Sequence, residues 1–179
     1  MEKSAEMKSL MNPLSWSFRT YYFLGAIGCF GAIGYALYVQ YHPDMLMQPC
    51  PLCILQRLAF IAAGVFFLIG ALHNPKSRAW RRFLASLVSL SALGGLLIAG
   101  RHVAIQLTPS DPGAFCGGMD LGYMLDAMPL REALTTVFKG SGECAKIDWT
   151  FLGFSMPMWT LVLYIGVLAL AIYPALRKS

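Results

Sequence analysis

Residues 50–73 read CPLCILQRLAFIAAGVFFLIGALH. Two cysteines separated by Pro51-Leu52 open the stretch, Arg57 follows, and Leu58 to Leu72 holds no charged side chain. As a helix, this run approaches the length needed to cross a bilayer, about 20 residues. Three further blocks share its character. Tyr21 to Tyr41 is uncharged and ends at His42-Pro43, and Phe83 to Gly100 is uncharged and ends at Arg101-His102. Trp149 to Leu176 is uncharged too, with its helix expected from Ser155-Met156-Pro157. Proline fits a first helical turn, where its missing N–H would have no partner anyway.

The whole chain supports a membrane reading. Of 179 residues 57% are hydrophobic and 13% charged, against about a quarter charged in soluble domains. The expected fold is an all-α membrane protein, a four-transmembrane-helix bundle, because a backbone facing lipid must satisfy its own hydrogen bonds. Spans are expected near 21–41, 54–72, 83–105 and 155–174, with extracytoplasmic loops 42–53 and 106–154, all in one integral-membrane domain over 1–179. The first block runs about twice the length of a signal-peptide core and no A-x-A-like site follows it, so it is read as a retained span.

The formal net charge of +5 does not point to nucleic acid, because the charges sit between apolar blocks. They report topology instead. Lys3, Lys8 and Arg19 precede the first block; Lys76, Arg78, Arg81 and Arg82 lie between the second and third; Arg177 and Lys178 follow the fourth. Loop 42–51 has no Lys or Arg, and the third loop sets three against six acids. Both termini are therefore expected in the cytoplasm and both cysteine-bearing loops outside. Trp16, Tyr21, Tyr22, Trp80 and Tyr173 are expected in the inner aromatic belt, and Tyr38, Tyr41, Trp149 and Trp159 in the outer one. In the third loop PLREALTTVF, 129–138, reads as a short amphipathic helix with Leu130, Leu134, Val137 and Phe138 on one face. Such a helix either lies on the membrane surface or packs on the bundle.

Cys50, Cys53, Cys116 and Cys144 fall outside in this topology, where disulfides persist, and Cys29 lies mid-membrane as a small apolar residue. Four cysteines allow three connectivities. Cys-x-x-Cys is a redox spacing, and here it sits where a helix begins, a setting whose N–H groups favour a thiolate. Arg57, four residues after Cys53, shares its helix face. It either snorkels to the headgroups or contacts an oxygen of a bound polar group beside Cys53, with Gln56 able to add a hydrogen bond. His102 ends the third block at the same depth. A purely structural Cys116–Cys144 staple would contribute roughly 3–4 kcal/mol. Zinc on the four thiolates fits less well: the second pair is 28 positions apart, whereas structural zinc sites pair close-spaced ligands.

Taken together, four spans, CPLCILQR (50–57) opening the second, and a long third loop with AFCGGMD (114–120) early and SGECAKIDWTFLGFSMPMW (141–159) late resemble the DsbB family of bacterial disulfide-bond-formation proteins. The resemblance covers nearly the whole chain. It implies an inner-membrane enzyme that reoxidises a periplasmic thioredoxin-fold, DsbA-like thiol partner and passes the electrons to a membrane quinone, ubiquinone or menaquinone. It implies redox-active disulfides Cys50–Cys53 and Cys116–Cys144, with the partner trapped on Cys116 and Cys53 nearest the quinone. Arg57 would stabilise charge developing on the quinone oxygen, and His102 matches a histidine that some members carry near it; Gln56 joins them as a candidate. Cys29 has no counterpart in the four-cysteine motif. The Pro-Leu dipeptide between Cys50 and Cys53 is a modest departure that would tune the potential.

Two other readings compete. A vitamin K epoxide reductase-like enzyme also couples loop cysteines to a quinone, but its Cys-x-x-Cys opens the last helix of the bundle rather than the second. A non-enzymatic membrane protein with structural disulfides or zinc would bind metal or keep its bridges under mild reductant. Reporter fusions test the topology on which all of this depends: a fusion at Ser179 should report cytoplasm and one near Asp120 the periplasm. A cytoplasmic signal at Asp120 would place the cysteines in a reducing pool and end the redox reading.

Overall fold

The computed structural model describes residues 16–42, 49–108, 122, 126–139, 142–145, 147 and 149–176. Among these residues, four helices are long and apolar enough to cross a membrane: α1 (Phe18–Tyr41), α2 (Pro51–His73), α3 (Arg78–Leu107) and α6 (Met156–Leu176). The described residues between α3 and α6 include the short helices α4 (Leu130–Lys139) and α5 (Gly142–Ala145) and a hairpin of β1 (Thr150–Phe151) and β2 (Phe154–Ser155).

The helix limits have local causes. The Ser17 side chain caps α1 by accepting from the Thr20 N–H. Cys50 is the N-cap of α2 and Pro51 its first residue, so this helix starts ahead of the uncharged run and carries both cysteines at its mouth. Asn74, at φ 39°, ends α2 in the left-handed conformation that asparagine tolerates. α3 outlasts its uncharged block by almost two turns at its C-terminal end, which makes Arg101 and His102 helical residues.

α1 packs on α2, α2 on α3, and α3 on α6, while α6 returns to α1 along a thinner seam. The main core runs through the bundle, from Phe18 and Tyr22 through Phe67 and Val88 to Tyr164. The opposite faces stay apolar and exposed, as at Phe23, Leu58, Leu72, Leu90, Leu97 and Ile165. Surface of this kind drives association in water, whereas in a bilayer it meets lipid. The chain is a multi-pass membrane protein.

Close approach between helices depends on small residues. A Cβ on Gly95 of α3 would fall inside the ring of Tyr164, and one on Gly70 of α2 would strike Tyr22. This corrects one expectation. Tyr21 and Tyr22 are buried in the bundle rather than set in the aromatic belt, and Tyr22 stacks on Phe18 and meets Phe67 edge-on.

The amphipathic helix forms as α4 and divides its apolar face. Val137 is buried against a second, outer core of Cys50, Leu52, Ile105 and Cys144, while Leu130, Leu134 and Phe138 remain exposed. Arg101 Nε donates to the Phe138 carbonyl at 2.9 Å and anchors the helix end to α3. The hairpin is not visible in the sequence pattern. Its tip, Leu152 and Gly153, has φ of 53° and 82°. Two positive φ values in a two-residue loop match the twist of the flanking strands, and glycine takes one of them without strain.

Gly95→Leu should lower the midpoint of thermal unfolding in detergent, because the Tyr164 ring has nowhere to go; overpacking of this kind costs about 1–3 kcal/mol. An unchanged midpoint would mean that the α3–α6 contact yields more easily than the geometry indicates.

Candidate functional site

Three elements converge at the end of the bundle where α2 begins. The N-cap and first two turns of α2 supply Cys50, Cys53, Gln56 and Arg57; α3 supplies His102 in its last turns; α5 supplies Cys144. Cys50 and Cys53 stand as a dithiol with the sulfurs 3.3 Å apart. His102 lies against both, with Nε2 3.8 Å from Cys50 Sγ and Nδ1 4.0 Å from Cys53 Sγ. The ring also bonds to the Cys144 carbonyl through Nε2 at 3.1 Å. Cys50 Sγ, Cys144 Sγ and a ring nitrogen of His102 all lie within 4.8 Å of one another. Cys29, Cys50 and Cys53 are free thiols, and Cys29 sits apart from this group in the main core. Cys116 lies outside the described residues, as does any bridge from it to Cys144.

The cluster is shielded from water. Cys50, Cys144, His102 and Gln56 are all buried, and Cys53 is half-buried. Cys53 owes its partial exposure to a cavity of about 420 Å³ on its far side. The cavity follows the thin seam between α1 and α6. Ala32, Ile33 and Ala36 line it from α1, Phe60 from α2 and Leu163 from α6, with Trp149, Phe151 and Trp159 at its outer end. The Trp159 indole N–H donates to the Phe151 carbonyl at 3.0 Å, which holds the hairpin in that position. The walls are mostly apolar, and Tyr35, Cys53, Gln56, Arg57 and Thr160 are among the few polar side chains in them, with Thr160 bonded to Gln56.

Arg57 lines the cavity and reaches across to α1, donating to the Gln40 side chain and to the Ala36 carbonyl. The guanidinium is therefore fixed in place by two acceptors of the neighbouring helix. His102 is placed differently from Arg57: it is not part of the cavity wall and instead stands behind Cys53, among the sulfurs. Gln56 touches both regions, lining the cavity and bonding to His102 Nδ1 at 3.2 Å.

Such an arrangement suits a chain of thiol–disulfide exchanges, in which a thiolate attacks a neighbouring sulfur within reach. Comparison with known proteins agrees. The family described as Disulfide bond formation protein DsbB matches residues 18–174. The chain belongs to the DsbB family. A Disulfide bond formation protein B from Xanthomonas axonopodis pv. citri (strain 306) is 45% identical over 167 residues, covering 93% of this chain and 95% of that protein. One from Hahella chejuensis is 45% identical over 160 residues, covering 89% and 94%. One from Methylobacillus flagellatus is 43% identical over 159 residues, covering 88% and 93%. Membership makes this chain a membrane protein of disulfide bond formation, with the role of a disulfide oxidoreductase.

Thr160 was not singled out by sequence reasoning, yet its hydroxyl bonds to Gln56 Oε1 at 2.8 Å. A lone threonine in an apolar span has no pattern to mark it; only the facing helix gives it a role. Tyr164, one turn further in, donates to the Gln56 backbone carbonyl at 2.7 Å.

The nearness of Cys50 and Cys144 gives a direct test. With Cys53 and Cys116 both replaced by serine, mild oxidation should join Cys50 to Cys144, detected by peptide mapping without reduction. Cys29 should stay free in the same sample. Failure to form this bridge would mean that α5 does not hold Cys144 against α2.

Proposed function

We propose that the chain takes electrons from a periplasmic thioredoxin-fold dithiol of the DsbA type and passes them to a membrane quinone, ubiquinone or menaquinone. It works in the bacterial inner membrane with both termini cytoplasmic. The observation that carries this reading is the position of Cys53, which faces the sulfur cluster on one side and an apolar cavity on the other.

In this reading the partner's thiolate attacks Cys116 of a Cys116–Cys144 bridge and releases Cys144 as a thiolate. The partner's second thiolate then breaks the mixed disulfide, leaving the partner oxidised and Cys116 reduced. Cys144 attacks Cys50 of a Cys50–Cys53 bridge, within the 4.8 Å cluster, and Cys53 leaves as a thiolate at the cavity mouth. Cys116 recloses its bridge with Cys144 and releases Cys50. Two electrons have then moved to the Cys50–Cys53 dithiol.

The cavity fits a quinone headgroup on physical grounds. Its volume and apolar lining are those of a small-molecule site, and it carries only a few polar groups, Cys53, Gln56 and Arg57 among them. A quinone bound there supplies the two-electron sink. Arg57 holds a fixed positive charge in the wall beside Cys53, and Gln56 adds an amide to the same wall. Burial of Cys50 and Cys144 keeps the exchange away from stray thiols.

Arg57→Met should slow quinone reduction and weaken apparent quinone affinity. Removing one charge-assisted hydrogen bond from a water-poor site costs roughly 1.5–3 kcal/mol, about 10- to 150-fold in rate. Exchange between the partner and the third loop should be nearly unchanged. Arg57→Lys should restore activity only partly, since an ammonium cannot reproduce the planar fork that reaches Gln40 and Ala36 together. Steady-state rates at several quinone concentrations, normalised to folded protein, measure both. Unchanged kinetics in Arg57→Met would remove Arg57 from the site.

A further inference from the structure

Gln56 is 4% exposed, and both ends of its amide are occupied. Oε1 accepts from the Thr160 hydroxyl at 2.8 Å, and Nε2 lies 3.2 Å from His102 Nδ1. The same hydroxyl stands 2.8 Å from the Pro157 carbonyl. A hydroxyl has one hydrogen, so it serves one of these two oxygens at a time. At the other end of the chain of contacts, His102 Nε2 faces the Cys144 carbonyl. A carbonyl only accepts, so Nε2 carries hydrogen in every state. The freedom lies at Nδ1 alone.

Two proton arrangements satisfy every one of these groups. In the first, His102 is neutral. Thr160 donates to Gln56 Oε1, Gln56 Nε2 donates to Nδ1, and Nε2–H of the ring donates to Cys144. In the second, His102 carries a proton on both nitrogens. The Gln56 amide is turned over, so that Nδ1–H donates to Oε1, Nε2 of Gln56 donates to Thr160 Oγ1, and Thr160 donates to Pro157. The two amide ends have nearly the same shape, so a half-turn about the terminal bond exchanges them without displacing a neighbour.

We propose that Gln56 and Thr160 act as an amide switch that lets His102 hold the proton of Cys53 while Cys53 is a thiolate and release it when Cys53 is reoxidised, with no buried polar atom left unpaired in either state. The inference rests on the electron-transfer reading above. Cys53 Sγ lies 4.0 Å from Nδ1, the nitrogen that changes. In the transfer the Cys53 S–H bond breaks, an N–H bond forms at Nδ1, and the electron pair stays on sulfur. When Cys53 returns to a disulfide, its two electrons go to the quinone of the reading above, and the ring's proton goes with them to become an O–H of the reduced quinone. Among the described residues, the titratable groups facing the ring are Cys50 and Cys53 from α2 and Cys144 from α5. α6 contributes only the neutral Thr160, and Arg57 is turned to α1. Gln56 and Thr160 are positioning residues here, because they act through His102.

The test is the proton count on the ring in two redox states. Full-length protein in detergent, with ¹⁵N-labelled histidine, is compared after oxidation with diamide and after reduction with dithiothreitol, and His102→Gln identifies the signal. The oxidised protein should show a neutral ring with hydrogen on Nε2, and the reduced protein a ring with hydrogen on both nitrogens. Gln56→Glu, which can only accept at both ends, should hold both hydrogens in either redox state. Thr160→Val removes the partner of the far amide end in both orientations and should lower turnover with quinone about fivefold with little change in KM; Thr160→Ser should restore it. The same ring state in oxidised and reduced parent protein overturns the proposal, with no variant needed. So does a Gln56→Glu ring that still changes with redox state. Failure of the electron-transfer reading would show separately, as absence of quinone reduction by the parent protein.

Discussion

The Gln56 amide is buried where no water competes for it, so each of its ends has to find a partner within the protein. An orphaned polar group there would cost about 1–3 kcal/mol. Both partners come from other helices, His102 from α3 and Thr160 from α6. The backbone of the same residue is claimed as well, because Tyr164 donates to its carbonyl. One residue in the second turn of α2 thus fixes the register of three helices at the depth of the cysteines. Gly95 makes this possible, since only a residue without a side chain lets the Tyr164 ring approach α3. In apolar spans, where burial against a neighbour and burial in lipid differ little, such directional contacts choose one packing among many.

From that register follows the division of the site. α3 and α5 hold His102 and Cys144 on one side of Cys53, and α1 and α6 leave a cavity on the other. α1 is tied back to α2 at this level by Arg57, through Gln40 and Ala36. The seam between α1 and α6 is then free to stay thin, with small residues Ala32 and Ala36 along it. The aromatic end wall depends on the hairpin, which Ser155 ties to Gln106 of α3 at 2.6 Å and Trp159 ties to its own helix. Cys53 is the one described cysteine that belongs to both regions.

Much of the fold was legible because charge and proline mark the ends of membrane helices strongly. The uncharged blocks located all four spans, and Ser155-Met156-Pro157 located the start of α6 at Met156. Helix orientation within the bundle was not legible. A soluble helix distinguishes its buried face by polarity, but here lipid-facing Phe23 and core-facing Ala26 are both apolar. For the same reason Tyr21 and Tyr22 looked like belt residues although they are buried. At the site, Cys50, Cys53 and Arg57 declared themselves by spacing within one helix. Their meeting with His102 and Cys144 depends on tertiary packing that no local spacing encodes. The Gln56–Thr160 contact joins residues 104 positions apart.

The convergence of Cys50, His102 and Cys144 reopens the question of a metal, which the 28-position separation of Cys116 and Cys144 had argued against. Two sulfurs and a nitrogen within 4.8 Å of one another are a ligand set that zinc accepts. The hydrogen bonds favour thiol exchange instead. A metal on His102 Nε2 needs the lone pair of that nitrogen, yet Nε2 points at the Cys144 carbonyl, which can only accept a hydrogen. Nδ1 is engaged by Gln56, whose orientation is in turn supported from α6. A metal would have to displace the carbonyl that places Cys144 against Cys50, and so undo the arrangement that gathers its ligands. Sulfur exchange makes no such demand. It needs a sulfur within reach, a partner for the proton, and a leaving thiolate with somewhere to send its electrons, and the three are set around Cys53 by Cys50, His102 and the cavity.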